Sequence, residues 1–226
     1  MEPIDLKAEQ QASLERPRYN YSSAARFFFA SMDMVTGRGI NLSKTLLIEL
    51  LASIPYRAWE LRMYSKLTFG YQNRETAKKG LQVMEWSRAA QDNEYWHAQA
   101  IQEKMIEDGT RRPWYLWLPV TALVIATYIL FTRTMALFNL RRAFLFNAEF
   151  EDHAEHVYAQ FVQENPQWEK QPVKQPVVLE RMEFANWTEV FCRIGLDERE
   201  HRNASFVEAG LPEQAVGYTS SKDTGE

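Results

Sequence analysis

Two copies of the pattern Glu-x-x-His constrain this chain more than any other feature of its sequence. The first copy is Glu94 and His97, and the second is Glu198 and His201. Residues three apart share one face of a helix, so each pair can direct both of its side chains at one metal ion. In helical bundles that hold a carboxylate-bridged di-iron centre, two helices each supply this pattern and two further helices each supply one Glu.

The rest of the chain offers candidates for the two remaining carboxylates. Glu49 lies among leucines, where an ionised carboxylate without a partner costs several kcal/mol; the alternative is a side chain that points outward. A later, acid-rich segment offers a second set of candidates: Glu149, Glu151, Asp152 and Glu155. Mixed oxygen and imidazole ligands without thiolate suit iron or manganese. The pattern therefore predicts an all-α, ferritin-like di-iron four-helix bundle.

Apolar spacing, caps and helix breakers divide the chain into helices. The predicted helices cover residues 19–35, 41–70, 73–108, 113–131, 135–163 and 178–208. Residues 1–18 show no apolar period and are predicted to form a mobile arm. Residues 209–226 are small and polar and are predicted to form a disordered tail. One bundle domain over residues 19–208 is therefore expected.

Two of these helices are predicted to lie at a membrane surface. Residues 113–131 contain no charged side chain, and this length is at the threshold for crossing a bilayer. Trp114, Trp117 and the flanking arginines favour a helix within the headgroup layer over a spanning helix or a soluble core helix. The aromatic segment 19–35 is interpreted as a second interfacial helix, with a core helix as the alternative.

Composition excludes several classes of protein. The formal net charge is −4, which argues against a nucleic-acid partner bound by bulk positive charge. Cys192 is the only cysteine, so neither an internal disulfide nor a cysteine zinc site is possible. The start of the chain is acidic and has no signal-peptide pattern, which predicts a peripheral location on the cytoplasmic or stromal-type face of a thylakoid or plasma membrane.

Four blocks of the sequence resemble the alternative oxidase family, and especially its plastid terminal oxidase branch with cyanobacterial-like members. The similarity extends over residues 24–206. The blocks are Ile48–Tyr56, which is similar to Leu-Glu-Thr-Ile-Ala-x-x-Pro-Tyr; Asn93–His97, similar to Asn-Glu-x-x-His; Phe150–Ala154 followed by Tyr158; and Asp197–His201, similar to Asp-Glu-x-x-His.

The resemblance implies a membrane-associated, cyanide-resistant quinol oxidase that reduces O2 to water with two iron ions. Plastoquinol or ubiquinol would be the reductant, and a homodimer is expected. The implied metal site is Glu49, Glu94, His97, Glu151, Glu198 and His201, with the two histidines either binding the metals or lying next to the ligands. Tyr158 is the implied catalytic residue. The candidate residues of the quinol pocket are Lys44, Ile48, Phe150 and His153.

Two positions depart from the family pattern, and two other functions remain open. The family usually has Arg where this chain has Lys44 and Gly195, so the surroundings of Asp197 are expected to differ. The alternative enzyme is a di-iron monooxygenase that hydroxylates a quinone or lipid. The alternative without catalysis is an iron store or a membrane-complex subunit with the same fold.

Overall fold

The computed structural model describes residues 4–219, and all regular structure in that range is helical. This confirms the all-α class. The chain divides into two compact units, one made of the residues up to 41 together with those from 144 onward, and the other of residues 42–143. The α-helices are α1 (Leu6–Glu15), α2 (Ser23–Thr36), α3 (Leu42–Gly70), α4 (Arg74–Glu107), α5 (Leu118–Phe138), α6 (Leu140–Glu164), α7 (Pro176–Leu179) and α8 (Trp187–Glu208).

The unit of residues 42–143 is built on α3 and α4, which pack along each other. Asn73 begins α4, because its side-chain oxygen accepts a hydrogen bond from the backbone N–H of Thr76 at 3.1 Å. Gly109 follows the end of α4 with a φ of 62°, a conformation that glycine adopts without strain. Helix α5 packs on α3 and buries Tyr128 and Thr132 on one side.

The other unit contains α1, α2, α7, α8 and α6 from Phe144 onward. Ser22 caps α2, and its hydroxyl also donates a hydrogen bond of 2.7 Å to Glu149 on α6. Aromatic rings join α2 to α6, with Phe28 5.6 Å from Phe150 between ring centroids. Helix α8 packs on α1. These contacts give α6 and α8 a fixed position within the unit.

The mobile arm predicted for residues 1–18 is wrong for the part that the structure describes. Residues 6–15 form α1, which packs on α8 with Glu9 and Ser13 buried. Arg199 of α8 holds α1 through an ion pair with Glu9 and a hydrogen bond of 2.8 Å to the Ser13 hydroxyl. Two of the polar residues that indicated an arm, Glu9 and Ser13, are therefore buried contacts with α8. Residues 1–3 lie outside the described range.

Two other predicted boundaries also need correction. The last helix begins at Trp187 and not near residue 178, because Asn186 caps it and α7 ends at Leu179. Residues 209–219 of the predicted disordered tail are folded: Pro212–Gln214 form a 3-10 turn and Asn203 bonds to the backbone of Val216. Residues 220–226 lie outside the described range. The apolar segment predicted at 113–131 is a 3-10 turn at Trp114–Leu116 followed by α5.

Candidate metal centre

The unit of residues 42–143 contains one group of possible metal ligands. Glu49 comes from α3, and Glu94 and His97 come from α4. Each side chain is at most 1% exposed, and one ligand atom of each lies within 4.8 Å of the others. His97 Nδ1 is 3.1 Å from a Glu49 oxygen and 3.5 Å from a Glu94 oxygen. The first Glu-x-x-His pair and the predicted Glu49 therefore do converge.

The other unit contains a second group of the same composition. Glu151 comes from α6, and Glu198 and His201 come from α8. These residues are at most 6% exposed, and one ligand atom of each again lies within 4.8 Å of the others. His201 Nδ1 is 3.9 Å from a Glu198 oxygen. The acid-rich helix α6 thus contributes Glu151 to this group.

Each group fits a metal ion by its donor chemistry. It offers two carboxylates and one imidazole, which is half of the ligand set of a di-iron centre. Two ionised carboxylates at 4.8 Å repel each other by about 3 kcal/mol at an effective dielectric constant of 20. A bound cation would offset this repulsion. Oxygen and imidazole donors without thiolate suit iron or manganese.

Asn147 positions one of the candidate ligands. Its side-chain N–H donates a hydrogen bond of 3.0 Å to Glu151 and another of 3.1 Å to the Ser205 hydroxyl on α8. Such contacts orient a carboxylate before any metal binds. Our reading of the sequence missed Asn147, although its position four residues before Glu151 places both on one helix face.

Tyr158 is buried on α6, two helical turns beyond Glu151. Its ring lies 6.3 Å from Phe191 of α8 in a stacked arrangement. A Cβ added to Gly195 would be 3.3 Å from the Tyr158 Cβ. The glycine at this departure from the family pattern therefore lets α8 approach α6 closely beside the tyrosine.

The four predicted quinol-pocket residues fall in the two units. Phe150 and His153 both lie against α2: Phe150 packs on Phe28, and the His153 ring stacks on Phe29 at 4.1 Å with an interplanar angle of 19°. Tyr21 approaches the same imidazole edge-on at 6.1 Å. Lys44 and Ile48 are both buried near the start of α3, one helical turn apart.

Asp197 and Asn93, which directly precede the candidate ligands Glu198 and Glu94, have different surroundings. Asp197 is buried and forms an ion pair with Arg193 on the same helix. Arg193 therefore supplies, from two residues earlier, the positive charge that Gly195 lacks. Burial opposes the charge on Arg193, but Asp197 and Glu200 raise the pKa of the guanidinium above its ordinary value. Asn93 is buried, and its Oδ1 has no hydrogen-bond partner among residues 4–219.

Three further acidic residues of α6 are held by groups from other segments. Glu149 accepts hydrogen bonds from the backbone N–H and hydroxyl of Ser22. Asp152 accepts from Arg202 at 2.7 Å, and Glu155 from Arg199 at 2.8 Å. These contacts fix α6 to its neighbours and distinguish the three residues from Glu151.

One helix in the described part of the chain, α5, is long and apolar enough to cross a membrane. This property follows from the length and composition of α5, which also has a buried side where it packs on α3.

Comparison of the chain with protein-family models and with curated proteins finds no match. The likeness to the alternative oxidases therefore depends on the four sequence blocks described above. The geometry of the two ligand groups is an independent observation.

Proposed function

We propose that this protein is a peripheral membrane quinol oxidase with two iron ions. The observation that carries the proposal is that the same buried set, two Glu and one His, occurs once in each unit. The proposal requires α3, α4, α6 and α8 to form one ferritin-like bundle in which the two sets face each other. The resemblance to the alternative oxidases supplies the reaction.

In the proposed reaction, two quinols are oxidised to two quinones and one O2 is reduced to two molecules of water. Four electrons and four protons pass from the quinols to oxygen, so the equation balances without another reductant. The two irons, when bound, would store electrons and provide the site at which O2 is reduced. The carboxylates of Glu49, Glu94, Glu151 and Glu198 offset the positive charge of the metals.

His153 and Tyr158 are the residues proposed to handle protons. The His153 imidazole is stacked on the ring of Phe29. A quinol ring that packs beside these two rings could give its hydroxyl proton to the imidazole. Tyr158 is buried two turns from Glu151, where a phenol can donate both a proton and an electron. Lys44, Ile48 and Phe150 are proposed to line the quinol site.

The membrane part of the proposal follows from the substrate and from α5. A quinol with an isoprenoid tail dissolves in lipid, so an oxidase that uses it must reach the bilayer. Helix α5 has an exposed apolar side suited to the layer between headgroups and acyl chains. We propose a peripheral location, with α2 as a second contact through the exposed rings and thioethers of residues such as Phe27 and Met34.

Iron content and quinol-dependent oxygen uptake test the proposal together. The purified chain, loaded with Fe(II) in lipid or detergent, is expected to hold two irons and to consume one O2 for every two quinols in the presence of cyanide. Glu151→Gln should abolish uptake. Glu164→Gln is the matched control, since it removes a carboxylate from an exposed position on the same helix.

Three results would contradict the proposal in different ways. An absence of bound iron would refute the metal centre. Hydroxylated quinone or lipid as the product would favour the monooxygenase. Bound iron without oxygen uptake would leave an iron-binding protein and refute the oxidase.

A further inference from the structure

We propose that Tyr56 and Trp86 carry single electrons between the surface of the protein and the ligand group on α3 and α4. We call these two residues, together with Trp59, whose ring contacts both, the aromatic relay. The inference goes beyond the oxidation of quinol and rests on the proposed function for one point, the oxidised metal centre that takes the electron. Movement of an electron between the aromatic side chains does not depend on metal.

Tyr56 is the end of the relay that lies nearer to the ligand group. It follows Glu49 by seven residues on α3. Seven residues are close to two full helical turns, so the two residues lie on one side of α3, about 10 Å apart along the helix axis. Tyr56 is 0% exposed and Glu49 is 1% exposed. A single electron can cross such a distance inside a protein without an intermediate carrier.

Three ring contacts connect Tyr56 to the surface. The rings of Tyr56 and Trp86 meet edge-on, with 5.7 Å between their centroids. Trp59 meets Tyr56 edge-on at 4.9 Å and stacks on Trp86 at 5.1 Å with an interplanar angle of 22°. These distances are ordinary for aromatic rings in contact. Tyr56 and Trp59 are fully buried, whereas Trp86 is partly exposed. The relay is therefore continuous from a buried phenol to an indole that solvent reaches.

Phenol and indole are the aromatic side chains that lose one electron most readily. In the proposed sequence, Tyr56 gives one electron toward the oxidised metal centre, and its phenolic proton passes to a neighbouring acceptor. Trp86 then gives an electron to Tyr56, directly or through Trp59, and the phenol takes its proton back. A small, soluble one-electron reductant of the ascorbate class reduces Trp86 at the surface and is itself oxidised by one electron. One electron enters the relay for each one that leaves, so the metal centre can be supplied when quinol is scarce.

The corresponding tyrosine of the other unit has different neighbours. Tyr158 follows Glu151 by the same seven residues, but its ring stacks on Phe191 at 6.3 Å, and Phe191 stacks on Trp168 at 4.4 Å. A phenyl ring is not oxidised at the potentials that oxidise phenol or indole. Trp168 is also buried, with 3% of its surface exposed. This row of rings has a member that cannot be oxidised and a buried end, so the relay on α3 and α4 is the better route to solvent.

Light-driven oxidation of the metal-free full chain tests the relay. Gln82→Cys introduces an exposed thiol on α4 one helical turn before Trp86, and a ruthenium photosensitiser is attached to it. The natural Cys192 is buried and does not compete for the label. After a flash in the presence of an electron acceptor, the oxidised label takes an electron from Trp86. We expect the indole radical to be replaced by a phenoxyl radical at Tyr56, because a phenol that releases its proton is easier to oxidise than an indole.

Matched variants identify the residues that hold the radical. Transient absorption and electron paramagnetic resonance distinguish an indole radical from a phenoxyl radical. Tyr56→Phe should lower the yield of phenoxyl radical at least tenfold, and so should Trp86→Phe. Tyr64→Phe is the control, because it makes the same change on the same helix at an exposed ring whose hydroxyl bonds to Arg88. It should leave the yield within about twofold. An indole radical that persists in the labelled original, or an equal loss in the control, would overturn the relay.

A second measurement connects the relay to the metal centre. The chain is loaded with Fe(II) and exposed to O2 without quinol, and the oxidation of each tryptophan is measured by mass spectrometry. Trp86 should be oxidised more than Trp114 and Trp117, although these two are 55 and 59% exposed. Ascorbate should prevent the oxidation of Trp86, and so should Tyr56→Phe. Greater oxidation of the two exposed tryptophans would indicate an oxidant in solution and would overturn the link to the metal.

The two experiments separate the relay from the proposed function. Radical transfer in the metal-free chain without quinol-dependent oxygen uptake would refute the oxidase and support the relay. Oxygen uptake without radical transfer would refute the relay alone. Circular dichroism of each variant verifies that its helices are intact, so that a loss of radical transfer is not mistaken for unfolding.

Discussion

Replacing Glu49 by Gln should make the metal-free protein more stable and should reduce the stabilisation that metal provides. In the metal-free state Glu49 and Glu94 are buried carboxylates with ligand atoms within 4.8 Å of each other. The amide of the substituted side chain would keep an oxygen that can accept a hydrogen bond from His97, whose Nδ1 is 3.1 Å from the present carboxylate. The substitution therefore removes the charge and keeps the contact.

The size of the effect can be worked from these distances. Repulsion between two unit charges at 4.8 Å is about 3 kcal/mol at an effective dielectric constant of 20, and this value sets the scale of the gain. For a chain of this length, 1 kcal/mol corresponds to roughly 2–4 °C in the unfolding midpoint. We therefore expect the metal-free variant to unfold about 6–12 °C above the metal-free original.

In the metal-bound state this gain should largely disappear. Loss of one charged ligand that weakens metal affinity a hundredfold removes about 2.7 kcal/mol of metal-linked stability at saturating metal. Thermal unfolding is followed by circular dichroism after chelation and again with excess Fe(II) or Mn(II). Glu60→Gln is the control on α3, since Glu60 pairs at 2.8 Å with the exposed Arg88 and lies outside the ligand group.

A lower unfolding midpoint for the metal-free Glu49→Gln protein would refute the reasoning, because it would show that the charge of Glu49 stabilises the fold without metal. An unchanged response to metal would refute the role of Glu49 as a ligand. A simple folding defect lowers both midpoints together, so a higher midpoint without metal that metal cancels is specific for a metal site.

Three further predictions concern the unit that contains α6 and α8. Burial raises the pKa of Glu155, but Arg16, Arg199 and Ser13 lower it, and the net result is a pKa below the ordinary value. The ionised carboxylate therefore stabilises the fold at a pH above the ordinary pKa, and this stabilisation is lost as the pH falls through the folded-state pKa. Proteolysis of α1 should accelerate on acidification. Burial raises the pKa of the Cys192 thiol to about 12, and mass spectrometry should show alkylation only after unfolding. Gly195→Val should cost about 1–3 kcal/mol in urea denaturation, since its side chain would press on Tyr158, whereas Gly195→Ala should be nearly neutral.

Much of the helical structure was predictable because its determinants are local. The cap at Asn73, the turn at Gly109 and the apolar spacing of α3 and α4 place both helices within a residue or two of the structure. Helix α1 was not predictable in this way. Its buried residues are polar, and the group that pairs with Glu9 is Arg199, far away in the sequence.

The ligand residues were predictable to different degrees. His97 and His201 each have a Glu three residues before them, and this spacing alone brings each pair to one helix face. Glu49 could be proposed because its apolar neighbours require a partner for its charge. The positions of Asn147 and Arg193 were missed, since an amide or a guanidinium on a helix carries no signal of what it contacts.

Composition and helical spacing do not show which of the acidic residues of α6 is the metal ligand. Four carboxylates lie within two turns of this helix, and composition treats them alike. The structure separates them by their neighbours. Glu149 accepts a hydrogen bond from the residue that caps α2, and Asp152 and Glu155 each accept a hydrogen bond from an arginine. Glu151 lies instead with Glu198 and His201. A carboxylate that an arginine already neutralises is a poor metal ligand, because the metal would have to displace that charge. The acidic helix therefore has two roles, with three side chains that hold the fold and one that faces the proposed metal.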